Sequence, residues 1–371
     1  MLNIVSIMKV QRGPLTGVRV VEMAGLGPVP FASMMLADMG ADVVRIDSPP
    51  RDPEDPHDHF GPIWRGRAAY ELNLKDEKAR QRAIDLINRA DIVLEGFRPG
   101  VMERLGLGPD VFEESNPGLI YGRMTGWGQG GELARSAGHD VNYLAVGGVL
   151  HHLARHGERP LPPLNLVGDY GGGGMLLVVG VLAAYVERTR SGRGQVIDAA
   201  MLDGAALLMT SVLGWRGRGN WNDEPGTNTI DTGSPFYEVY RTADDRFLAV
   251  GAIEPRFYRQ VLVGLGLDEG DLPPQYSRED WPAMKEIFAA RIAQHDLAHW
   301  DKVFAELDAC VSPVLNLDEA ARHPHVAERA VYVTDDGYLH PSPAPRFSRT
   351  PSTRAETPPQ ETLDDLLSRW G

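Results

Sequence analysis

Cysteine is almost absent: Cys310 is the only one in 371 residues. An intrachain disulfide is therefore excluded, and a reducing compartment is expected. Positive charge is also short, with 37 Lys and Arg against 51 Asp and Glu and a formal net charge of −14. Such a surface repels a phosphate backbone, so nucleic acid is not an expected partner. No uninterrupted apolar run reaches membrane-spanning length, so no membrane partner is expected either. Met1–Val10 holds a short apolar run without a positive region before it or a small-residue cleavage site after it. The terminal Ser-Arg-Trp-Gly is not a peroxisomal address, and the expected location is the cytoplasm. A P-loop and a His-Glu-x-x-His sequence are both missing. The pairs His57/His59 and His323/His325 have no supporting ligand cluster, so no metal site is expected.

What the chain does have is a normal apolar content of 43% over a length that suits two domains. Strand-like runs at Val18–Glu22, Asp42–Ile46, Asp91–Glu95 and Leu119–Arg123 alternate with helical patterns at 31–39 and 76–90. In the second helix Ala83, Leu86, Ile87 and Ala90 share one face. This alternation predicts βαβ units and a parallel sheet covered on both sides, an α/β first domain. A turn and short strand follow at 192–198, then a helix carrying Met201, Leu202, Ala205, Leu208 and Met209. Trp215 to Gly233 lacks periodicity and reads as a linker. Phe236–Arg241 and Arg246–Ile253 form an expected hairpin around Ala243-Asp-Asp245, followed by helices near 255–265, 281–294 and 296–307. This is a smaller α+β unit. After Val311 the chain is proline-rich and expected to be irregular until Thr362–Trp370.

The chemistry concentrates between Gly138 and Gly174. Gly138-His-Asp140 opens the stretch, and Gly168-Asp-Tyr170 runs into four glycines, Gly171 to Gly174. An apolar run from Met175 to Ala184 comes next and predicts a buried helix. Glycines at a helix start leave backbone N–H groups uncovered, a suitable place for an anion or a developing oxyanion. Asp169 alone reads as a helix N-cap, and His139 alone as a structural histidine. Together they read as an acid/base pair, because histidine titrates near neutrality and desolvation by Leu166, Val167 and Met175 would raise an aspartate toward it. Asp140 reads as the cap of its own helix. Glu254 precedes Pro255 at a helix start, and glutamate is not a favoured N-cap there, which leaves orienting a histidine as a second role. Arg65, Arg67, Lys75, Arg98 and Arg123 cluster in and after the crossovers and read either as surface charge or as a phosphate clamp. Gly126-Trp-Gly-Gln-Gly-Gly131 spells a dinucleotide fingerprint, but no helix follows it and no acidic residue ends a strand about 20 residues on.

These residues together resemble the family III CoA-transferases, and within them the α-methylacyl-CoA racemase branch. The matching stretches are Gly13–Glu22, Leu36–Asp47, Asp91–Gly100, Tyr121–Gly128, Gly138–Asp140, Pro163–Asp169, Gly251–Pro255 and Pro343–Pro351. The resemblance implies a Rossmann-like large domain, with its first part at 14–200 and its C-terminal part after a return linker within 313–371. It also implies a linker at 201–233, a small α+β domain at 234–312, and two chains interlocked as an obligate homodimer. His139 and Asp169 match the two catalytic bases, with Glu254 of the partner chain orienting His139. CoA's phosphates would lie near Arg65, Arg67, Lys75, Arg98 and Arg123, and its adenine near Asn73 and Lys75. The implied reaction inverts the α-carbon of a 2-methylacyl-CoA thioester. No cofactor is implied, since coenzyme A is part of the substrate. The family's transferases, in which the matching aspartate forms an acyl anhydride, are the alternative. They lack the histidine of Gly-His-Asp.

Overall fold

The computed structural model describes residues 13–49, 61–335, 337–359 and 361–371. His57, His59 and the apolar run at 1–10 lie outside them. The described chain divides into two compact units, one of residues up to Gly147, Leu164–Leu208 and Ala330–Gly371, the other of Gly148–Pro163 and Met209–Arg329.

The first unit is built on a six-stranded parallel sheet. Its strands are β1 (Arg19–Met23), β2 (Asp42–Asp47), β3 (Arg67–Glu71), β4 (Ile92–Glu95), β5 (Ile120–Thr125) and β6 (Val196–Ala200), in the order β3-β2-β1-β4-β5-β6. Successive side chains of a strand point to opposite faces, so Val20 joins one core layer and Val21 the other. The first layer gathers Val29 and Leu36 of helix α1 (Pro28–Asp38) with apolar residues from further along the chain. The second gathers Leu86 and Ile87 of α2 (Glu77–Ile87), whose N-cap Asp76 accepts from the Ala79 N–H at 3.0 Å. Burial on both faces is why these strands read as continuous runs of Val and Ile. The C-terminal helix Leu363–Trp370 closes the second layer. Trp370 is buried there and its indole donates to Asp42 at 2.7 Å.

Three expectations change here. Strand β3 was not legible, because Arg67-Ala-Ala-Tyr-Glu71 has no apolar alternation, and it pairs with β2 from Val43↔Arg67 to Asp47↔Glu71. The four glycines do not form a loop. A stretch of π-helix, Leu166–Met175, already contains them and runs directly into α5 (Leu176–Ser191). These 26 helical residues are long and apolar enough to cross a membrane by length and composition, contrary to the sequence reading. Leu177, Val178, Val181 and Ala184 are buried in the core of the unit, whereas Met175 and Val179 stand exposed.

Glycine is needed in the π stretch for close approach. A β-carbon on Gly172 would lie 2.6 Å from the Ala205 nitrogen, and one on Gly204 only 1.9 Å from the Gly172 carbonyl oxygen. The π stretch therefore crosses α6 (Met201–Leu208) backbone to backbone. Gly204→Ala is expected to lose about 1–3 kcal/mol of stability by overpacking, read as a lower urea midpoint at unchanged slope. An unchanged midpoint would mean the two helices part freely.

The second unit carries a three-stranded antiparallel sheet in the order β7-β8-β9, from Tyr237–Arg241, Phe247–Gly251 and Val311–Pro313. Its helices Pro255–Leu265, Trp281–Ile292 and Leu297–Ala305 bury Tyr258, Leu262, Phe288 and Trp300 against Phe236 and Leu248. The boundaries differ from the sequence reading. Met201–Leu208 belongs to the first unit, Gly148–Pro163 belongs to the second, and the return to the first unit falls near 330, within the expected 313–371. Of the expected linker at 215–233, the first three residues end the helix Thr210–Gly217 and the rest is a hydrogen-bonded loop. Its Asp231 carboxylate accepts from the backbone of Gly226, Asn228 and Gly233 at 3.0, 2.7 and 3.2 Å. Asx turns explain why such a stretch is rich in Asn, Asp and Gly without periodicity. The tail after Val311 is likewise more regular than expected, with helices Leu317–Arg322 and Pro324–Glu328 and a hairpin of Tyr332–Asp335 with Tyr338–Pro341.

Candidate active site

The sheet order reverses between β1 and β4, and open α/β sheets bind ligands at such a point beyond the carboxyl ends of the strands. A cavity of about 250 Å³ lies there. Its walls come from Leu26 and Pro28 after β1, Phe97 and Arg98 after β4, Trp127 after β5, and His139.

His139 is the N-cap of α4 (Asp140–Val146), with extended backbone and an exposed side chain. The Asn142 carboxamide oxygen accepts from its N–H at 3.0 Å, and its carbonyl accepts from the Asn142 N–H at 2.8 Å. The backbone at His139 is thus pinned by Asn142. Tyr143, one turn on, donates its hydroxyl to the Gly138 carbonyl. Its ring stands edge-on to Trp127 at 4.8 Å and fills the space that a β-carbon on Gly126 or Gly138 would need. Of the glycines in the fingerprint-like sequence, Gly126 makes room for this ring. The Gly128 N–H is taken by Thr125 and that of Gln129 by Asp198, which fits no dinucleotide turn.

Asp169 sits in the first turns of the π stretch, half-buried, beside but not lining the cavity. A β-carbon on Gly27 would come within 3.3 Å of its carboxylate, so Gly27, between the lining residues Leu26 and Pro28, permits the approach. Its side chain receives one long hydrogen bond, from Asn165 at 3.4 Å. Burial holds the carboxyl above the usual carboxylate range. The Asn165 bond opposes this, the Asp140 charge adds to it, and the His139 charge opposes it. The Asp169 N–H donates to the Asp140 carboxylate at 2.7 Å. Asp140 therefore does not cap its own helix; it ties the His139 loop to the Asp169 helix. Gly171–Gly174 lie beyond the first turn, where helix N–H groups are used internally, so the expected oxyanion site is not at the glycines. The helix start beside His139 is that of α4, where the Asn142 and Tyr143 N–H groups already donate to the His139 carbonyl and those of Asp140 and Val141 precede them.

The basic residues divide. Arg65 donates to Asp38 at 3.0 Å, Arg67 to Glu22 at 2.6 Å, and Arg123 to Glu95 and Glu103 at 2.8 and 2.7 Å. All three are buried and paired with carboxylates inside the unit, which argues against their reading as a phosphate clamp; Arg67 also donates to the Ile63 carbonyl, and Arg65 Nη1 and Arg67 Nε have no partner among the described residues. Arg98 is exposed at the cavity, and Asn73 and Lys75 are exposed in the turn after β3. Asn73 partly serves that turn, accepting from the Lys75 N–H at 3.3 Å. Glu254, in the second unit, is the exposed N-cap residue of Pro255–Leu265 and makes no side-chain capping bond, as its residue type suggested. Asp140, Tyr143 and Trp127 were missed as site residues. Only the glycines at 126, 138 and 168 hinted at side chains pressed against them.

Sheet order, cavity and the His139–Asp169 pair define an α/β protein equipped for proton transfer or acyl chemistry at a strand-end crevice. Residues 15–363 match the model of CoA-transferase family III, and the chain belongs to that family. It is 48% identical over 361 residues to the alpha-methylacyl-CoA racemase of Mus musculus, covering 96% of this chain and 93% of that one. It is 45% identical, with the same coverage, to the alpha-methylacyl-CoA racemase of Homo sapiens. Among solved structures its fold is similar to a CAIB/BAIF family protein from Brucella suis, with a TM-score of 0.82 at 22% identity, over 97% of this chain and 100% of that one.

Proposed function

We propose that the protein is an isomerase that inverts the α-carbon of 2-methylacyl-CoA thioesters by proton transfer between two bases. The observation that carries this reading is the pairing of His139 with Asp169 across one carboxylate bridge at the sheet's reversal point. The racemase relatives support it. The thioester acidifies the α-hydrogen, and its removal leaves a planar enolate. One base takes the proton from one face, and the other returns a proton to the opposite face. Configuration inverts, no electron is exchanged, and the two bases trade protonation states. The enolate oxygen is stabilised by the Asp140 and Val141 N–H groups at the start of α4, since that of Asn142 is taken by the His139 carbonyl.

The CoA part of the substrate is held by Arg98, with Asn73 and Lys75 nearer its adenine end, and no cofactor or metal takes part. His139 is oriented by Glu254 of a second copy. Support for this comes from the exposure of His139 at the cavity and from the Glu254 carboxylate, which is exposed and makes no capping bond. Leu164, Leu166, Leu207 and Leu208 are each more than half exposed, apolar surface of the kind a homodimer covers. The enzyme works in the cytoplasm, without nucleic acid or membrane.

The rival reading is CoA transfer between carboxylic acids through an acyl anhydride at Asp169, and His139 argues against it. Incubating the protein with a 2-methylacyl-CoA in D₂O, without any acyl acceptor, separates the two. Deuterium at the α-carbon together with racemisation is expected. No label, with CoA passing to an added carboxylate, would establish the transferase.

A pH profile follows from the raised Asp169 pKa. In the direction that uses Asp169 as base it must be ionised, so the rate falls as pH drops through that raised value. The acid limb of kcat/KM is therefore expected above the range of an ordinary carboxylate. The titratable groups acting on it are Asp140 and His139, with Tyr143 coupled to both carboxylates. A limb at or below the ordinary range would exclude Asp169 as that base.

A further inference from the structure

Asp140 has more invested in it than a helix start requires. It is 6% exposed, yet its carboxylate serves neither its own helix nor a cation. It reaches 29 residues along the chain to the Asp169 N–H at 2.7 Å. Its second oxygen, Oδ1, is buried without a hydrogen-bond partner. A buried carboxylate with one oxygen unpaired is costly and is kept where its position matters. The neighbouring sequence accommodates it. A β-carbon on Gly168 would lie 2.4 Å from Oδ2 and 2.8 Å from the carboxyl carbon, and the nearest atoms it would meet all belong to Asp140. Asp140 directly follows His139, whose backbone is fixed by Asn142. One carboxylate thus spans from the residue after one base to the backbone of the other.

We propose that Asp140 is a positioning residue: its bond to the Asp169 N–H sets the separation of the two bases, so that they stay on opposite sides of the substrate carbon. This rests on the racemase reading. A base displaced by 1 Å loses rate, but a second consequence is more diagnostic. When the far base is out of reach, the proton removed from one face is replaced from the same face. Exchange with solvent then continues while inversion falls behind.

The test uses the full chain and a single stereoisomer of a 2-methylacyl-CoA in D₂O, following α-deuterium and configuration together. Asp140→Ala is expected to lower kcat for inversion by about 10²-fold, with a far smaller change in KM and a raised ratio of exchange to inversion. Asp140→Asn keeps an oxygen acceptor in the same place and is expected to recover the rate to within about 5-fold of the parent, less than one power of ten in barrier terms. Gly168→Ala presses on the carboxylate from the other side and is expected to resemble Asp140→Ala. The double variant should be no slower than Asp140→Ala alone, since both changes act through one bond.

The proposal is overturned by a folded Asp140→Ala with parental rate and ratio, by Asp140→Asn as impaired as Asp140→Ala, or by losses from Gly168→Ala that add to it. If Asp140→Ala does not fold, a parental rate and ratio in Gly168→Ala overturns it alone. A parent protein that neither exchanges nor inverts removes the racemase reading and this role with it. A parent that inverts, beside unaffected variants, removes only the role.

Discussion

His139→Ala and Asp169→Ala each lower inversion of a 2-methylacyl-CoA by about 10²- to 10⁴-fold, the usual weight of a positioned proton-transfer group. Neither change should unfold the protein. The His139 side chain is exposed, and the Asp169 side chain receives one bond, the 3.4 Å contact from Asn165. The two variants should differ in a way that a single-base mechanism cannot reproduce. Each base addresses one face, so each variant retains solvent exchange chiefly in the stereoisomer whose hydrogen faces the surviving base. Measuring α-deuterium in each pure stereoisomer checks this. Full-rate inversion by either variant would strike that residue from the mechanism.

Arg67→Ala is expected to act on stability instead of substrate affinity. Arg67 and Glu22 form a 2.6 Å ion pair with both side chains at 1% exposure or less. Deleting the guanidinium leaves a charged carboxylate in the core of β1, with its other oxygen already unpartnered. Breaking a buried pair in this way costs about 3–5 kcal/mol. Denaturant unfolding should register that loss, while KM for acyl-CoA in the remaining folded enzyme stays near the parental value. Arg98→Ala should do the reverse, raising KM at unchanged stability. A stable Arg67→Ala with weakened CoA binding would restore Arg67 to the phosphate clamp.

The contrast between Arg67 and Arg98 also marks how far the sequence could be read. Both are arginines near strand ends in an acidic chain, and composition treats them alike. Arg98 follows β4, a strand of Ile, Val and Leu that announces itself. Arg67 opens β3, whose Arg-Ala-Ala-Tyr-Glu carries no alternation because this strand lies at the edge of the sheet and is held by pairing to β2. The glycines misled for a related reason. A run of four reads as a loop, since glycine weakens a helix. Here the gain from two backbones in close contact outweighs that penalty, and the contact lies with α6, some 30 residues further on.

By itself the sequence determined the alternation of strands and helices, the separate small α+β unit, and the two candidate bases with their glycine-marked surroundings. Those are local properties, written in periodicity, turn chemistry and short motifs. Which cations meet carboxylates, which glycines meet backbones, and that Asp140 reaches Asp169 were decided only by the folded chain. Each depends on residues brought together across the sheet or between helices, and a contact between distant residues leaves almost no trace in the order of the amino acids around either one.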